Sequence, residues 1–327
     1  MLARKLPIEL DGNIVETTPM LVPSLSSRAT DNIVNATEVI GSIISGPILL
    51  SAYDQYYANI LPKISSSCTL IFIDSGGYEC SIGYKASKYN LYNLDLREWN
   101  EKCHLSAIEN LEKKPPKVII NFDHPTLRRP LEEQIDRAKD LFKKNNGHLR
   151  EFLIKPEDKC ELIDVEKVIQ NLKSFTSFDI IGIIEKELGP TILDRMVSIA
   201  TIRSEMDRRK ISKPLHVFGS LDTITTPLYY FAGADIFDGL AWSRYIFHDG
   251  KTLYRDSFGP SSKGIHVNIN NILLSSLIDN FSYITELKLE LEQFASTEEK
   301  DFGIYGKNES FFKKSYIQLQ QKIEGYI

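Results

Sequence analysis

The sequence predicts an α/β fold, a (β/α)8 barrel of the TIM type, and three observations predict it. Short apolar runs rich in β-branched residues recur along the chain. They are continuous rather than alternating, as expected of parallel strands covered by helices on both faces. Helix-period stretches lie between them, and no Gly-x-Gly-x-x-Gly turn follows the early strands, which weighs against the open dinucleotide-binding sheet.

In chain order, residues 1–46 read as an irregular N-terminal cap, and the barrel is expected over 47–268. Its strands are Ile48 to Ser51, Leu70 to Ile73, Val118 to Asn121, Phe152 to Ile154, Ile180 to Ile184, Leu215 to Phe218 and Ile236 to Leu240. Leu131 to Asn145 follows Pro130 as an amphipathic helix, Asp164 to Phe175 gathers Val165, Val168, Ile169 and Leu172 on one face, and Thr191 to Arg209 follows Pro190. Residues 269–327 read as C-terminal helices, with Lys300 to Glu309 as a polar loop. Tyr283 to Phe294, where Leu287, Leu289 and Leu291 alternate locally, reads as a helix with a solvated face.

Composition bounds the rest. At 327 residues, with 42% hydrophobic and 25% charged residues, the chain can bury a large core and has the make-up of a globular protein. A net charge of -5 supplies no global positive field for a long phosphate backbone, so nucleic-acid binding has to be local. Cys68, Cys80, Cys103 and Cys160 include no Cys-x-x-Cys pair, a spacing of reduced thiols rather than of disulfides or a zinc knuckle. Val39 to Tyr53, the most apolar stretch, is interrupted by Gly41, Gly46 and Pro47 and falls short of the ~18 residues of a membrane span. A cytoplasmic protein without a membrane partner is the expectation, since no secretory signal opens the chain.

In a parallel barrel, catalytic groups sit where strands end. Here those places are acidic: Asp74-Ser75-Gly76-Gly77-Tyr78-Glu79, Asp123-His124-Pro125 and Asp238-Gly239-Leu240-Ala241-Trp242. A single such Asp often just caps the next helix, but three suggest chemistry. Paired carboxylates suit glycosidic bonds, one acting at the sugar carbon and the other carrying the proton of the leaving group. Gly76 and Gly77 are expected to let a flat ligand approach the backbone.

Asp74-Ser75-Gly76-Gly77-Tyr78, Asn121-Phe122-Asp123 with Arg128 and Arg129 after it, and Gly233-Ala234-Asp235-Ile236-Phe237-Asp238 together resemble the tRNA-guanine transglycosylase superfamily. The resemblance runs from Pro47 to Tyr245, about 60% of the chain. Within the superfamily, His216-Val217-Phe218-Gly219, Phe237 to Trp242 and Glu185-Lys186-Glu187-Leu188-Gly189 are most similar to the DNA-modifying DpdA branch, which exchanges guanine in DNA for a 7-deazaguanine. The resemblance implies Asp238 as nucleophile on the sugar C1′, Asp74 as general acid and base, and Asp123 on the guanine edge. It also implies a base sandwiched by Tyr78 and Phe218, beside Gly219, with plain core packing as the alternative for either aromatic. DNA, or alternatively tRNA, and a 7-deazaguanine base such as preQ0 are then the partners, and no cofactor is implied for the exchange itself.

The chain departs from the family pattern in places. Members usually carry a Cys-x-Cys-x-x-Cys cluster and a later His that hold structural zinc, whereas no cysteine follows Cys160 and His266 has no such companions. That module helps build the family's RNA-binding surface, and a short loop, Asp249 to Lys263, stands in its place. Lys155 replaces a glutamine that contacts the base, and Glu185-Lys186 replace a Gly-Leu pair. Glu185 either meets an amine on the deazapurine or pairs with Lys155 or Lys186. Among the basic residues Arg128, Arg129, Arg208, Arg209 and Lys210, those near strand ends, Arg128 and Arg129 together with Arg244, are the expected phosphate contacts. A tRNA enzyme with a degenerate zinc region and a non-catalytic partner subunit are the competing readings, and a homodimer is left open.

Overall fold

A computed structural model describes residues 2–30, 32–64, 66–80, 97–109, 111–124, 126–144, 147–157, 160–297 and 300–324. The chain opens with two short strands, β1 (Pro7–Leu10) and β2 (Asn13–Thr17), which form a two-stranded sheet. Eight strands then make a closed parallel barrel: β3 (Met20–Leu25), β4 (Ile48–Ser51), β5 (Ile71–Asp74), β6 (Lys117–Ile120), β7 (Leu149–Ile154), β8 (Ile180–Ile184), β9 (Leu215–Phe218) and β10 (Ile236–Gly239). Their order around the barrel is the order in the chain, with β10 returning to β3.

Seven of these strands match the seven apolar runs within a few residues at their ends. The eighth corrects the sequence reading, because Met20–Leu25 lies inside the stretch expected to be an irregular cap. Pro23 hides it from a pattern reading, since proline lacks the N–H of a strand ladder and normally demotes a run to an edge. Here Pro23 is the last residue of this strand to register on β10, opposite Gly239, and pairing then passes to β4 at Ser24 and Leu25.

The chain divides into two compact units. One comprises Ile8–Glu16 and Ser24–Ile183. Its strands run in register as parallel pairs, Ser51 opposite Asp74 and Ile73 opposite Ile119 among them, and most of their residues are buried. The helices α1 (Ile33–Gly41), α2 (Ala52–Ala58), α3 (Gly77–Cys80), α4 (Glu101–Ile108), α5 (Leu131–Lys144) and α6 (Val165–Phe175) accompany them. Asp164 caps α6 by accepting the Lys167 N–H, so the expected start of that helix is its cap. Phe152 packs between Phe175 and Phe178, stacked on the latter at 4.8 Å. Pro125 and Asn145, the latter the expected end of α5, lie outside the described residues.

The other unit comprises Met1–Pro7, Thr17–Pro23 and Ile184–Ile327. It carries α7 (Ile192–Arg208), started by a reciprocal Thr191–Asp194 cap, α8 (Thr225–Phe231) and the four-residue α9 (Ala241–Arg244). The stretch Asp249 to Lys263, expected as a short loop in place of the zinc module, instead holds β12 (Lys251–Tyr254), paired in a hairpin with the preceding β11 (Tyr245–His248), and α10 (Arg255–Lys263). Then come α11 (Ile269–Ser296) and α12 (Glu309–Ile323). Leu287 and Leu291 are buried on α11 while Leu289 points to solvent, which resolves their local alternation as helical. The expected polar loop before α12 is a 3-10 turn over Phe302–Asn308 whose Phe302 and Tyr305 are buried. Both rings pack on Phe231 of α8, with Phe294 and Phe312, so an aromatic cluster that no local pattern reveals seals this end of the core. Cys68, Cys80, Cys103 and Cys160 are free of disulfide bonds. Among the described residues, no helix is long and apolar enough to cross a membrane.

Candidate active site

Both compact units carry acidic groups at the C-terminal ends of barrel strands, and each is built from its own neighbours. In the unit of β4 to β7, Asp74 is the last residue of β5 and is partly exposed. The backbone then turns through Gly76 at φ +81°, a conformation that an L side chain resists. A Cβ on Gly76 would lie 2.8 Å from the indole of Trp99, and one on Gly77 would meet Asp123 at 3.2–3.4 Å. The two glycines therefore serve close packing against Trp99 and Asp123. This packing is a role the sequence did not show, beside the expected approach of a flat ligand. Trp99 Nε1 donates to the Ser75 carbonyl at 3.0 Å and fixes the arrangement.

Behind this turn lies a buried acidic pair that sequence reasoning missed. Glu79 is 4% exposed and accepts from the hydroxyls of Ser26 and Ser51, while Asp54, 2% exposed, accepts the Ser27 N–H at 2.9 Å. Burial, reinforced by the Glu79 charge, pushes the Asp54 carboxyl up to about 7. The Arg28 guanidinium sits over the Tyr78 ring at 5.4 Å, and its Nε donates to the Glu79 carbonyl at 3.0 Å. Tyr78 is thus half-buried beside a cation.

Asp123 follows β6. Its two oxygens face two cations, Arg128 at 3.2 Å on Oδ1 and Lys155 at 3.6 Å on Oδ2. Asn121 joins β6 to β7 by accepting the Leu153 N–H at 2.6 Å. Gln134 of α5 both accepts from the Lys155 backbone N–H and donates to its carbonyl, each at 3.0 Å, which fixes the main chain from which the Lys155 side chain projects. Asp123, Lys155, Arg128 and Arg129 line a cavity of about 280 Å³, with Arg137 of α5 contributing a further cation. Arg129 pairs with Glu133, and Arg137 with Glu101. Such a space takes a single ring system with polar edges, and its walls favour a ligand with acceptor atoms or negative charge.

In the unit of β9 and β10, Asp238 sits in β10, the last barrel strand, opposite Val22 of β3. The residue is 6% exposed. Its Oδ1 accepts the Gly219 N–H at 2.9 Å, and His216 Nε2 lies 3.3 Å from the same oxygen. Gly219 holds φ +79°, and a Cβ there would meet nothing within 4 Å. The Phe218 ring is stacked on that of His216, centroids 3.9 Å apart and planes 25° apart. Phe218 is largely buried, so one face at least is committed to the imidazole. His216 was legible in principle, because residues two apart on a strand share a side and His216 precedes Phe218 by two.

Glu185, just after β8, accepts from the Tyr229 hydroxyl at 2.9 Å and pairs with Arg195 of α7. Arg195 is thus the cation beside it, where Lys155 or Lys186 had been expected. Burial raises the Glu185 pKa, with the two partners opposing that rise. Arg208 and Arg209 pair with Glu205, and Arg244 lies half-buried on α9. Asn280 of α11 pins the segment after Asp238, donating to the carbonyls of Trp242 and Tyr245 and accepting the Phe247 N–H at 2.7 Å. The C-terminal helices thereby hold the chain that follows the candidate nucleophile. Among the described residues, no three His, Cys, Asp or Glu side chains gather in a way that fits a metal ion. The chain matches no family model and no curated protein sequence.

Proposed function

We propose that this protein is a base-exchange transglycosylase that replaces guanine in DNA by a 7-deazaguanine of the preQ0 kind. The observation that carries the reading is the seat of Asp238, a nearly buried carboxylate at the end of a barrel strand with one oxygen held by a backbone N–H beside stacked rings. A carboxylate so oriented can attack one carbon from a fixed direction, and an aromatic surface suits a base, with stacking contributing about 1–3 kcal/mol per base. Asp123, Lys155, Arg128 and Arg129 around one cavity supply donors and acceptors for a base edge and a nearby phosphate. The choice of DNA rests on the resemblance of the Glu185–Gly189, His216–Gly219 and Phe237–Trp242 stretches to the DpdA branch.

The reaction proceeds in two displacements. An Asp238 carboxylate oxygen bonds to C1′ as the bond from C1′ to N9 of guanine breaks, and Asp74 gives its proton to the departing base. The incoming base then returns a proton from N9 to Asp74, its nitrogen bonds to C1′, and the ester to Asp238 opens. Two inversions give net retention, with protons balanced across the cycle. A target inside a duplex must be flipped out, and a flipped nucleotide needs a small phosphate footprint, in keeping with local cations on a chain of net charge -5.

The test incubates the protein with radiolabelled guanine or preQ0 and, separately, duplex DNA, single-stranded DNA and tRNA, alongside Asp238→Ala and Asp74→Ala. Label entering DNA with the wild type and with neither variant supports the proposal. Label entering tRNA but never DNA assigns the substrate to tRNA. Exchange that appears only on addition of a second protein identifies a partner subunit.

A further inference from the structure

We propose that His216 is a positioning residue for Asp238, and that a His216–Asp238 pair fixes the carboxylate and the stacking surface together. The inference rests on the proposed reaction for its consequence and on geometry alone for its existence. His216 is fully buried in β9, and its Nε2 lies 3.3 Å from Asp238 Oδ1, the oxygen that the Gly219 N–H also reaches. At 3.3 Å the two atoms are in contact but not aligned as a hydrogen bond; a proton on Nε2 and a small rotation of either side chain close the contact into one, and burial of both groups favours that arrangement. With that bond closed, the Nε2–H joins the Gly219 N–H on one oxygen, and the two together fix the torsion of the Asp238 side chain.

The same imidazole carries the Phe218 ring at 3.9 Å, nearly parallel. Nucleophile and aromatic surface therefore share one support, and a change at position 216 moves both. An attacking carboxylate gains from this, because the direction of its approach is set before substrate arrives. Burial supplies the rest, since a hydrogen bond to a charged group away from water is stronger than one at the surface.

Selective 15N labelling of the histidines reads the pair directly. The His216 signal, assigned by its loss in His216→Gln, is expected to report a protonated Nε2 and to shift in Asp238→Asn. Alongside, label incorporation is measured for His216→Leu and His216→Gln. Leucine removes the donor and is expected to lower kcat by about 10- to 100-fold, the factor carried by a hydrogen bond to a charged group. Glutamine, which can donate from a similar reach, is expected to recover most of that loss, with unfolding curves showing that both variants fold. A His216 signal unmoved by Asp238→Asn, or a leucine variant that turns over like the wild type, overturns the inference. If the wild type exchanges no base in DNA or tRNA, the transglycosylase reading fails, while the histidine signal still decides whether the pair exists.

Discussion

Gly76 and Gly219 both adopt left-handed backbone conformations, yet the space above them differs, and replacing each by alanine separates the two roles. At φ +79° and with nothing within 4 Å of a new Cβ, Gly219→Ala meets only backbone strain, about 1–2 kcal/mol. Gly76→Ala meets the same strain at φ +81° and also drives a methyl to 2.8 Å from Trp99. Overpacking adds about 1–3 kcal/mol. Displacing the indole also breaks its hydrogen bond to Ser75, which adds about 0.5–1.5 kcal/mol. Gly76→Ala is therefore expected to lower stability by about 2.5–6.5 kcal/mol, well beyond Gly219→Ala. Denaturant unfolding followed by circular dichroism measures both. Tryptophan emission in a Trp242→Phe background isolates Trp99, the other of the chain's two tryptophans, and is expected to shift in Gly76→Ala. Equal stability of the two alanine variants, or an unmoved Trp99 signal, would refute the assignment of Gly76 to packing against the indole.

Three further outcomes are expected. Arg203 and Asp235 form an ion pair with no exposed surface, so Arg203→Met leaves a buried carboxylate without its cation and destabilises by about 3–5 kcal/mol at neutral pH. Burial already raises Asp235, so the folded state holds its proton more tightly than the unfolded chain, and the loss in Arg203→Met shrinks as pH falls and the carboxylate neutralises. Asp54, pushed up to about 7 from 3.8, also keeps its proton when folded, so wild-type stability falls as pH rises through that window. Asp54→Asn is expected to remove a slope of about one proton there, seen as unfolding midpoints recorded between pH 4 and 8. His104 works in the opposite sense, because full burial lowers it to about 4 and the unfolded chain binds the extra proton between that value and 6.5. Stability is lost as pH falls through that range, and His104→Gln is expected to flatten the acid limb in the same measurement.

Much of the barrel is legible in the sequence because seven of its strands are continuous apolar runs, and burial on two faces leaves no other pattern for a short strand to show. Met20–Leu25 escapes because Pro23 breaks the local signal, and pairing with β10 and β4 overrides it. Asp74, Asp123 and Asp238 are legible as strand-end acids, and the structure puts each within three residues of the end of its strand. His216 reads as part of a strand, Trp99 as a residue before a helix, and Asp54 and Glu79 as ordinary acids. What makes them notable is who faces them, which no spacing records.

The amino-acid order alone determined the parallel strands, the helices between them, the acidic strand ends and the absence of a cysteine cluster, since hydrophobic period and residue chemistry are local properties. Tertiary structure decided that Gly76 yields to an indole, that Glu185 belongs to Arg195, that a supposed polar loop buries two aromatic rings, and that one oxygen of Asp238 accepts from Gly219 with His216 beside it. These depend on contacts between residues 10 to more than 60 positions apart, whose partners are selected by packing density and desolvation once the chain has closed on itself.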